Sequence, residues 1–392
     1  MALAKLRGSS RPRFSFRAEL RACESLLLLF LIASSPLFGL DPTKQIDQYA
    51  HAEWKSQHGL PGDAVYQITQ TRDGYLWIGT SAGLVRFDGV RFVAFDALIG
   101  NGPVKAITLN ADGDLLIRTN VRTLIYRHGV FSDYLPPAAL PDGGIRTLFE
   151  GRNHDVLLGS DDFIYLLQNQ GPRMLVRGTG HVDAFAQENA GKVWIGGAWA
   201  LYSYQNGSLT KSVDLSSNRH HSISALATDH LQDLLVGTWD GLYRKHPDKA
   251  LLQPIAPKEI RGHIQAIMED RQGNLWVGGD GTGLVRMKGD KISRFNASDG
   301  LTDNNVLALF EDREGSVWVG TASGVDHLRD TKVTTLTTKE GLPSNDARAV
   351  FETRNGNMFV FCVPGGVGTG EGRPRHRTHE GRATLLPGKR RI

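Results

Sequence analysis

Cysteine is almost missing from this chain: Cys23 and Cys362 are the only two in 392 residues. Cys23 lies in a stretch that reads as a signal segment, so one thiol is left beyond it and no internal disulfide can form. Long apolar runs are missing as well. Between Glu24 and Asp41 lie 16 uncharged residues, fewer than the ~20 that cross a bilayer as a helix. GxSxG elbows, HExxH pairs and P-loops do not occur, which removes common signatures of nucleophilic, zinc and phosphate chemistry. A basic body is lacking too, although the formal net charge is +4. Residues 1–24 carry +4 and the residues from Gly366 onward +5, which leaves −5 for residues 25–365. Nucleic-acid binding needs a basic face on the folded body, and this mildly acidic one counts against it.

What the chain has instead is a repeat. Asp73 to Gly89 reads DGYLWIGTSAGLVRFDG, two short β-rich runs set off by Asp-Gly and Gly turn signals. Such spacing describes antiparallel strands joined by tight turns. The pattern recurs with Trp77, Leu116, Leu157, Trp194, Leu235, Trp276, Trp318 and Phe359 at one shared position, at gaps of 39, 41, 37, 41, 41, 42 and 41 residues. A second signature, GLP or GLT, precedes three copies at Gly59, Gly300 and Gly341. A period of about 40 residues is that of a four-stranded propeller blade. The expected fold is all-β: a β-propeller of four-stranded antiparallel blades, seven of them, with an incomplete eighth repeat. The recurrent Trp or Leu is expected between blades and the recurrent Gly where backbones approach closely. Gln48–Trp54 aligns with the outer strands Ile292–Phe295 and Val333–Leu336, and is expected to latch the ring by pairing with the last blade.

Here the chain resembles the two-component-regulator propeller repeat, found in the extracytoplasmic sensor regions of bacterial histidine kinases, hybrid kinases and some diguanylate cyclases. The resemblance runs from Gln48 to about Pro364 and is densest in DGYLWIGTSAGLVRFDG. Repeats two and three depart from it: both lack the Trp, and Arg118 replaces the Gly at the strand end. The resemblance implies an extracytoplasmic ligand sensor from a signalling receptor, with oligosaccharides as the ligand class to expect and a dimer in the full-length receptor. The family's membrane helix and output domain are not in the sequence, nor are kinase phosphoacceptor or ATP-binding motifs. The chain is therefore expected not to be an enzyme. A propeller lyase or hydrolase and a protein-interaction scaffold stand as alternatives.

The expected organisation is a signal peptide over 1–40, the propeller over 41–346, the incomplete repeat over 347–364 and a disordered basic tail over 365–392. Lys5 and five arginines precede the apolar Leu26–Ala33 and the small pair Ser34-Ser35, the layout of a secretory signal. Cleavage is preferred to a retained signal anchor, and the expected location is the periplasmic or extracellular side of a bacterial membrane. A truncated or frameshifted gene is the preferred account of the Gly- and Arg-rich tail, and a natural basic tail is the alternative.

No cofactor or metal is expected. The turn residues Asp73, Asp112, Asp270 and Asp312 lack the ligand spacing of a calcium loop and suit the turns themselves. His220-His221 lacks a zinc spacing, and His58, His181 and His263 read as isolated loop histidines. Two tryptophans fall outside the repeated positions. Trp199 and Trp239 occupy loops after the second strands of adjacent blades, where other copies carry Ala82 or Ala322. Either they pack locally, or they ring a channel mouth and stack on a flat ligand such as a sugar. The site proposed on the second reading joins Trp199, Trp239 and Asp240 with the acceptors Asp161, Asp162 and Asp280 and the donor Arg118.

Overall fold

The computed structural model describes residues 39–135 apart from 101 and 120, and 145–330 apart from 169, 170, 218–221, 248 and 250; beyond these it describes 338, 342–352, 358–363 and 366–368. Nearly all of the expected signal segment lies outside this set, as do His220-His221, Val333–Leu336 and the tail after Gly368. The boundary expected at residue 41 is crossed by the fold, because Leu40 is buried in a core cluster with Trp276 and Leu301. Among the described residues no helix is long and apolar enough to cross a membrane.

Seven four-stranded antiparallel sheets form a ring. A first strand, β1 (Ala50–Trp54), precedes them. Blade one is β2 (Val65–Gln70), β3 (Leu76–Thr80), β4 (Leu84–Phe87) and β5 (Phe92–Ala94), and blade two is β6 (Val104–Leu109), β7 (Leu115–Thr119), β8 (Thr123–Arg127) and β9 (Val130–Leu135). Blade three is β10 (Thr147–Glu150), β11 (Val156–Gly159), β12 (Phe163–Gln168) and β13 (Gly171–Arg177), and blade four is β14 (Val182–Gln187), β15 (Val193–Gly197), β16 (Ala200–Gln205) and β17 (Ser208–Asp214). Blade five is β18 (Ile223–Thr228), β19 (Leu234–Thr238), β20 (Leu242–Lys245) and the short β21 (Gln253–Pro254). Blade six is β22 (Ile264–Glu269), β23 (Leu275–Gly279), β24 (Gly283–Lys288) and β25 (Lys291–Phe295). Blade seven is β26 (Val306–Glu311), β27 (Val317–Thr321) and β28 (Val325–Arg329), with β1 as its outer strand. The inner strands touch in circular order and β26 meets β2, so the ring closes.

Two local devices recur, the first in all seven blades and the second in the four that carry the tryptophan. The turn between first and second strands holds a left-handed residue three positions before the repeated Trp or Leu. Gly74, Gly113, Gly191, Gly273 and Gly315 take this place, and His154 (φ 63) and Gln232 (φ 65) take it in blades three and five. Six positions before the tryptophans stands an acceptor for the indole. Trp77 Nε1 donates to Thr71 Oγ1 (2.9 Å), Trp194 to Glu188 Oε1 (2.6 Å), Trp276 to Asp270 Oδ2 (2.7 Å) and Trp318 to Asp312 Oδ2 (2.8 Å). Asp270 Oδ1 also accepts the N–H groups of Gln272 and Asn274. Asp270 and Asp312 thus do two jobs: they shape the turn and they satisfy a buried indole N–H that would otherwise be costly to bury.

The seam lies in blade seven. Ala50 to Trp54 pairs antiparallel with Arg329 to Val325. His51 Nε2 lies 2.7 Å from Asp326 Oδ1, and the fully buried Asp326 also accepts from the backbone and hydroxyl of Thr302. Trp54 stacks on Trp318 at 5.6 Å between ring centres, and Trp318 stacks on His327 at 3.9 Å. His327 Nε2 is buried without a hydrogen-bond partner. Burial first, then the charges of Arg329 and His51, push its pKa down to about 4.

Beyond the ring, β29 (Ala347–Glu352), β30 (Met358–Cys362) and β31 (Gly366–Gly368) make a three-stranded sheet. The expected strandless tail therefore starts with a strand. Its Gly-rich sequence hides this because the pairing of Gly366–Gly368 with β30 uses backbone groups, which need no side-chain pattern.

Trp276→Ala empties a site packed by Ala266, Leu284, Val306 and Val319 and is expected to cost ~3–5 kcal/mol in chemical denaturation. A loss below ~1 kcal/mol would contradict the packing. His327 is favoured neutral in the fold, so its contribution is complete above the unfolded value near 6.5 and is lost as pH falls toward the folded value of about 4. Between pH 7 and 5 this amounts to ~2 kcal/mol. Burial pushes the nearby Asp312 carboxyl up, which acts in the opposite direction, so the histidine is isolated by comparison with His327→Phe. The wild type should lose ~2 kcal/mol more than His327→Phe over that range, and parallel pH profiles would refute this.

Candidate functional site

The inner strands begin where the second strands end, and this end of the channel is here called the upper mouth. In six blades the register slips just after the first inner-strand residue, as between Val65 and Gln67 and between Ile264 and Ala266. The extra residue is Tyr66, Lys105, Asp183, Ser224, Gln265 or Leu307. Arg146 takes the corresponding place in blade three, where its N–H donates to Gly159 O (2.8 Å). Bulges re-aim side chains, and these side chains ring the mouth. Three successive residues of each inner strand line the channel, among them Ile68, Ile107, Leu148, Phe185, Leu226, Ile267 and Leu309, whose side chains pack in the clusters between blades. The channel cavity they line has a volume of about 310 Å³.

The residues expected at the mouth fall into two groups with one outlier. In blades five and six, Trp239 is 53% exposed, and its ring stacks on His263 at 4.7 Å between centres, tilted 26°. His263 Nδ1 lies 2.9 Å from Asp280 Oδ2, while Gln265 donates to the other Asp280 oxygen. Asp280 thus fixes the imidazole and the imidazole carries the indole. Asp240 is tied by Thr238 Oγ1 (2.7 Å) and by the Tyr243 hydroxyl (3.3 Å).

In blades three and four, Arg146 bridges Asp183 (2.7 Å) and Asp161 (2.9 Å). Burial alone would lower the arginine's pKa, but the two carboxylates carry it above its ordinary value. The network continues from Asp183 to His181 Nε2 (3.5 Å) and on to Ser222 Oγ (3.2 Å). This is not a nucleophilic triad, because Ser222 and Asp183 both approach the same ring nitrogen, whereas a triad needs them on opposite ones. Asp162 accepts weakly from Gly180 N (3.4 Å), and a side chain at Gly180 would run into the Trp199 indole. Trp199 is half-buried in this local contact.

Arg118 departs from the expected site. It is 5% exposed, donating from Nε to Ile145 O (3.1 Å) and from Nη1 to Arg122 O (2.9 Å). Its guanidinium is a strut between blades two and three and does not face a ligand. Gln265, Arg146 and Asp183 were missed by sequence reasoning, and His181 and His263, read there as isolated loop histidines, are each paired with a carboxylate. Position alone could have found them, since each stands just before or within the start of an inner strand, beside the second-strand loops that hold Trp239, Asp280 and Asp161.

A family model described as "Two component regulator propeller" matches residues 59–82, 259–281 and 300–323. Three of the blades carry two component regulator propeller repeats. They are blades one, six and seven, the two sides of the seam and its neighbour. Among solved structures the chain is similar to the extracellular domain of BT4673, a hybrid two component system of B. thetaiotaomicron, with 18% identity, a TM-score of 0.60, and coverage of 84% of this chain and 48% of that one. It is similar to the corresponding domain of BT3049 from the same organism, with 16% identity, a TM-score of 0.64, and coverage of 81% and 47%. The chain thus spans about half the length of these domains. Virginiamycin B lyase from Staphylococcus aureus with quinupristin also aligns, at 14% identity and a TM-score of 0.59, covering 72% of this chain and 100% of that one. At these identities the likeness is one of fold. No curated protein matches.

Arg118→Ala removes the donor to Ile145 O at the blade two–three junction, while Arg122 O keeps the Thr119 N–H. The substitution is expected to lower stability by ~1–3 kcal/mol and to leave ligand affinity at the mouth unchanged. A stable variant with impaired ligand binding would return Arg118 to the site.

Proposed function

We propose that this propeller is the extracytoplasmic ligand-recognition part of a two-component-type signalling receptor, and that its upper mouth binds the ligand. The observation that carries this reading is the half-exposed Trp239, held on His263, which is held in turn by Asp280. An aromatic ring that is immobilised on one side and open on the other is suited to stacking on a sugar or another flat group. Asp280 and His263 Nε2 add acceptors for hydroxyl groups, and Arg146 adds a donor. The repeat family and the likeness to extracellular domains support a sensing role outside the membrane, with oligosaccharides as the class to test first. Neither a nucleic-acid nor a metal partner is part of the proposal.

A catalytic reading draws on one observation, the His263–Asp280 pair. Asp280 on Nδ1 leaves Nε2 as an acceptor, the arrangement of a general base. Among the described residues no hydroxyl or thiol is hydrogen-bonded to the imidazole, which already serves as the wall beneath Trp239. Recognition is the reading preferred.

Calorimetry against an oligosaccharide panel tests it. Trp239→Ala is expected to weaken binding several-fold, in line with the ~0.5–1.5 kcal/mol that stacking adds beyond burial, without changing the melting temperature. Equal affinity of wild type and Trp239→Ala for a bound sugar would move the site. Turnover of a bound sugar that stops in His263→Ala would favour the enzyme.

A further inference from the structure

We propose that the ring has a built-in opening point, and that it lies between blades two and three, not at the seam where the two ends of the chain meet. The seven junctions are built alike, so they can be compared contact by contact. Six share a fit at the upper end, where a strand-end glycine leaves room for the start of the next inner strand. Between blades two and three Arg118 stands in that place.

At the opposite end of the ring a second link recurs, a side-chain oxygen of one blade accepting a turn N–H of the blade before it. Gln187 takes Arg152 N (3.2 Å), Glu269 takes His230 N (2.6 Å), Glu311 takes Arg271 N (3.0 Å) and Gln70 takes Arg313 N (2.9 Å). Each of these four acceptors ends its inner strand. Between blades four and five, Gln232 takes Asn189 N (2.7 Å) from the next turn. In blade two the acceptor position is Leu109, whose side chain cannot accept. In blade three it is Glu150, which is turned to His154 Nδ1 (3.0 Å) and to the Tyr134 hydroxyl (3.3 Å). Junction one–two thus lacks the second link but keeps the first. Among the described residues, junction two–three alone has neither. The seam junction has both, and β1 besides.

What holds blades two and three is an apolar cluster that includes Leu116, Ile145, Leu148 and Leu158, together with the bond from Arg118 to Ile145 O (3.1 Å). Apolar packing is non-directional. Burial pushes the pKa of the Arg118 guanidinium down, so this junction takes a charge out of water where the others bury a glycine. The strand behind it is also the shortest: β10 has four residues where every other inner strand has six. Arg146 ties blade three to blade four through Asp183 (2.7 Å), so blade three parts from blade two. Because Arg146 follows Ile145 in the chain, the opening reaches the upper mouth.

Native-state thiol labelling of the full chain tests this, in a background carrying Cys23→Ala and Cys362→Ala. Single cysteines go to fully buried positions at four junctions: Leu116→Cys at two–three, Leu157→Cys at three–four, Leu235→Cys at five–six and Val325→Cys at seven–one. A buried thiol reacts only when its surroundings open, and with fast closing its rate reports the population of the open form. Labelling through global unfolding is subtracted from each variant's denaturation curve. Leu116→Cys should then react about tenfold faster than the other three, the size of one net hydrogen bond. Leu158→Cys, buried on the blade-three side of the same junction, should match it, and decides if Leu116→Cys does not fold. Fastest labelling at Val325→Cys would put the opening at the seam and overturn the proposal. Equal rates at every position, or a fast Leu116→Cys beside a slow Leu158→Cys, would overturn it as well.

Discussion

Blades stack face to face around the ring with the second strand of each against the start of the next inner strand, and at six of the seven junctions no side chain stands between them. A Cβ at Gly278 would sit 2.2 Å from Val306 Cγ1, at Gly196 2.4 Å from Ile223 Cγ2, at Gly320 2.6 Å from Val65 Cγ1 and at Gly159 2.7 Å from Val182 Cγ1. At Gly79 it would meet the Val104 carbonyl at 2.5 Å. In each pair a β-branched side chain, stiff at its first torsion, occupies the space the glycine leaves. The contact recurs at every junction but one, and it sets how closely successive sheets approach. The Trp and Leu clusters between blades fill what remains. At the exceptional junction Arg118 stands in place of glycine and reaches past the contact, donating to Ile145 O, the carbonyl equivalent to that of Val104. A degenerate repeat is thus accommodated by replacing a steric fit with hydrogen bonds.

The same constraint explains the seam. A ring built from one chain must bring its two ends into one blade, and the last junction has no covalent continuity to enforce it. The Gly320–Val65 contact closes the inner side of that junction, and β1 closes the outer edge of blade seven, removing an exposed strand edge. Trp54, inserted between Trp318, His327 and Phe87, makes the joining strand part of the core. Lys44 paired with Asp330 (2.5 Å), and Arg286 donating to the Lys44 carbonyl (2.6 Å), tie the approach to β1 onto blades seven and six.

The framework was legible because it is written several times. A period of about 40 residues, the Trp position and the strand-end glycine all repeat, so a reading of Trp77 transfers to Trp318, and the latch could be placed by aligning Gln48–Trp54 with the expected outer strands Ile292–Phe295 and Val333–Leu336, of which the first is β25. What repeats imperfectly was harder to see. His154 and Gln232 stand where other blades have a left-handed glycine, and nothing in their identity announces that conformation. The mouth was least legible. Trp239 and Asp280 were picked out because they break the pattern, but Arg118 breaks it too and is a strut. Departure from a repeat marks a position freed from the common constraint. It does not say whether the new residue has become a contact for a ligand or a repair of the framework. Only the facing of the side chain separates the two, and that depends on bulges whose register no local pattern encodes.

At the mouth, side chains are held by one another and by loop backbone, outside the interblade core. Trp239 rests on His263, His263 on Asp280, Asp280 on Gln265; Arg146 rests on Asp161 and Asp183. Each group is a short chain of contacts that ends at a bulge residue of an inner strand, so its geometry is inherited from the rigid ring while its chemistry is set by exposed residues. Changing an exposed member costs little of the core, because the glycine contacts and indole clamps lie elsewhere. The arrangement lets one scaffold present different ligand sites without refolding. It also explains why the histidines differ. His181 meets both its partners through Nε2, whereas His263 is fixed through Nδ1. That asymmetry, arising from which side of the ring the carboxylate reaches, is the reason the proposed recognition is placed on blades five and six rather than on blades three and four.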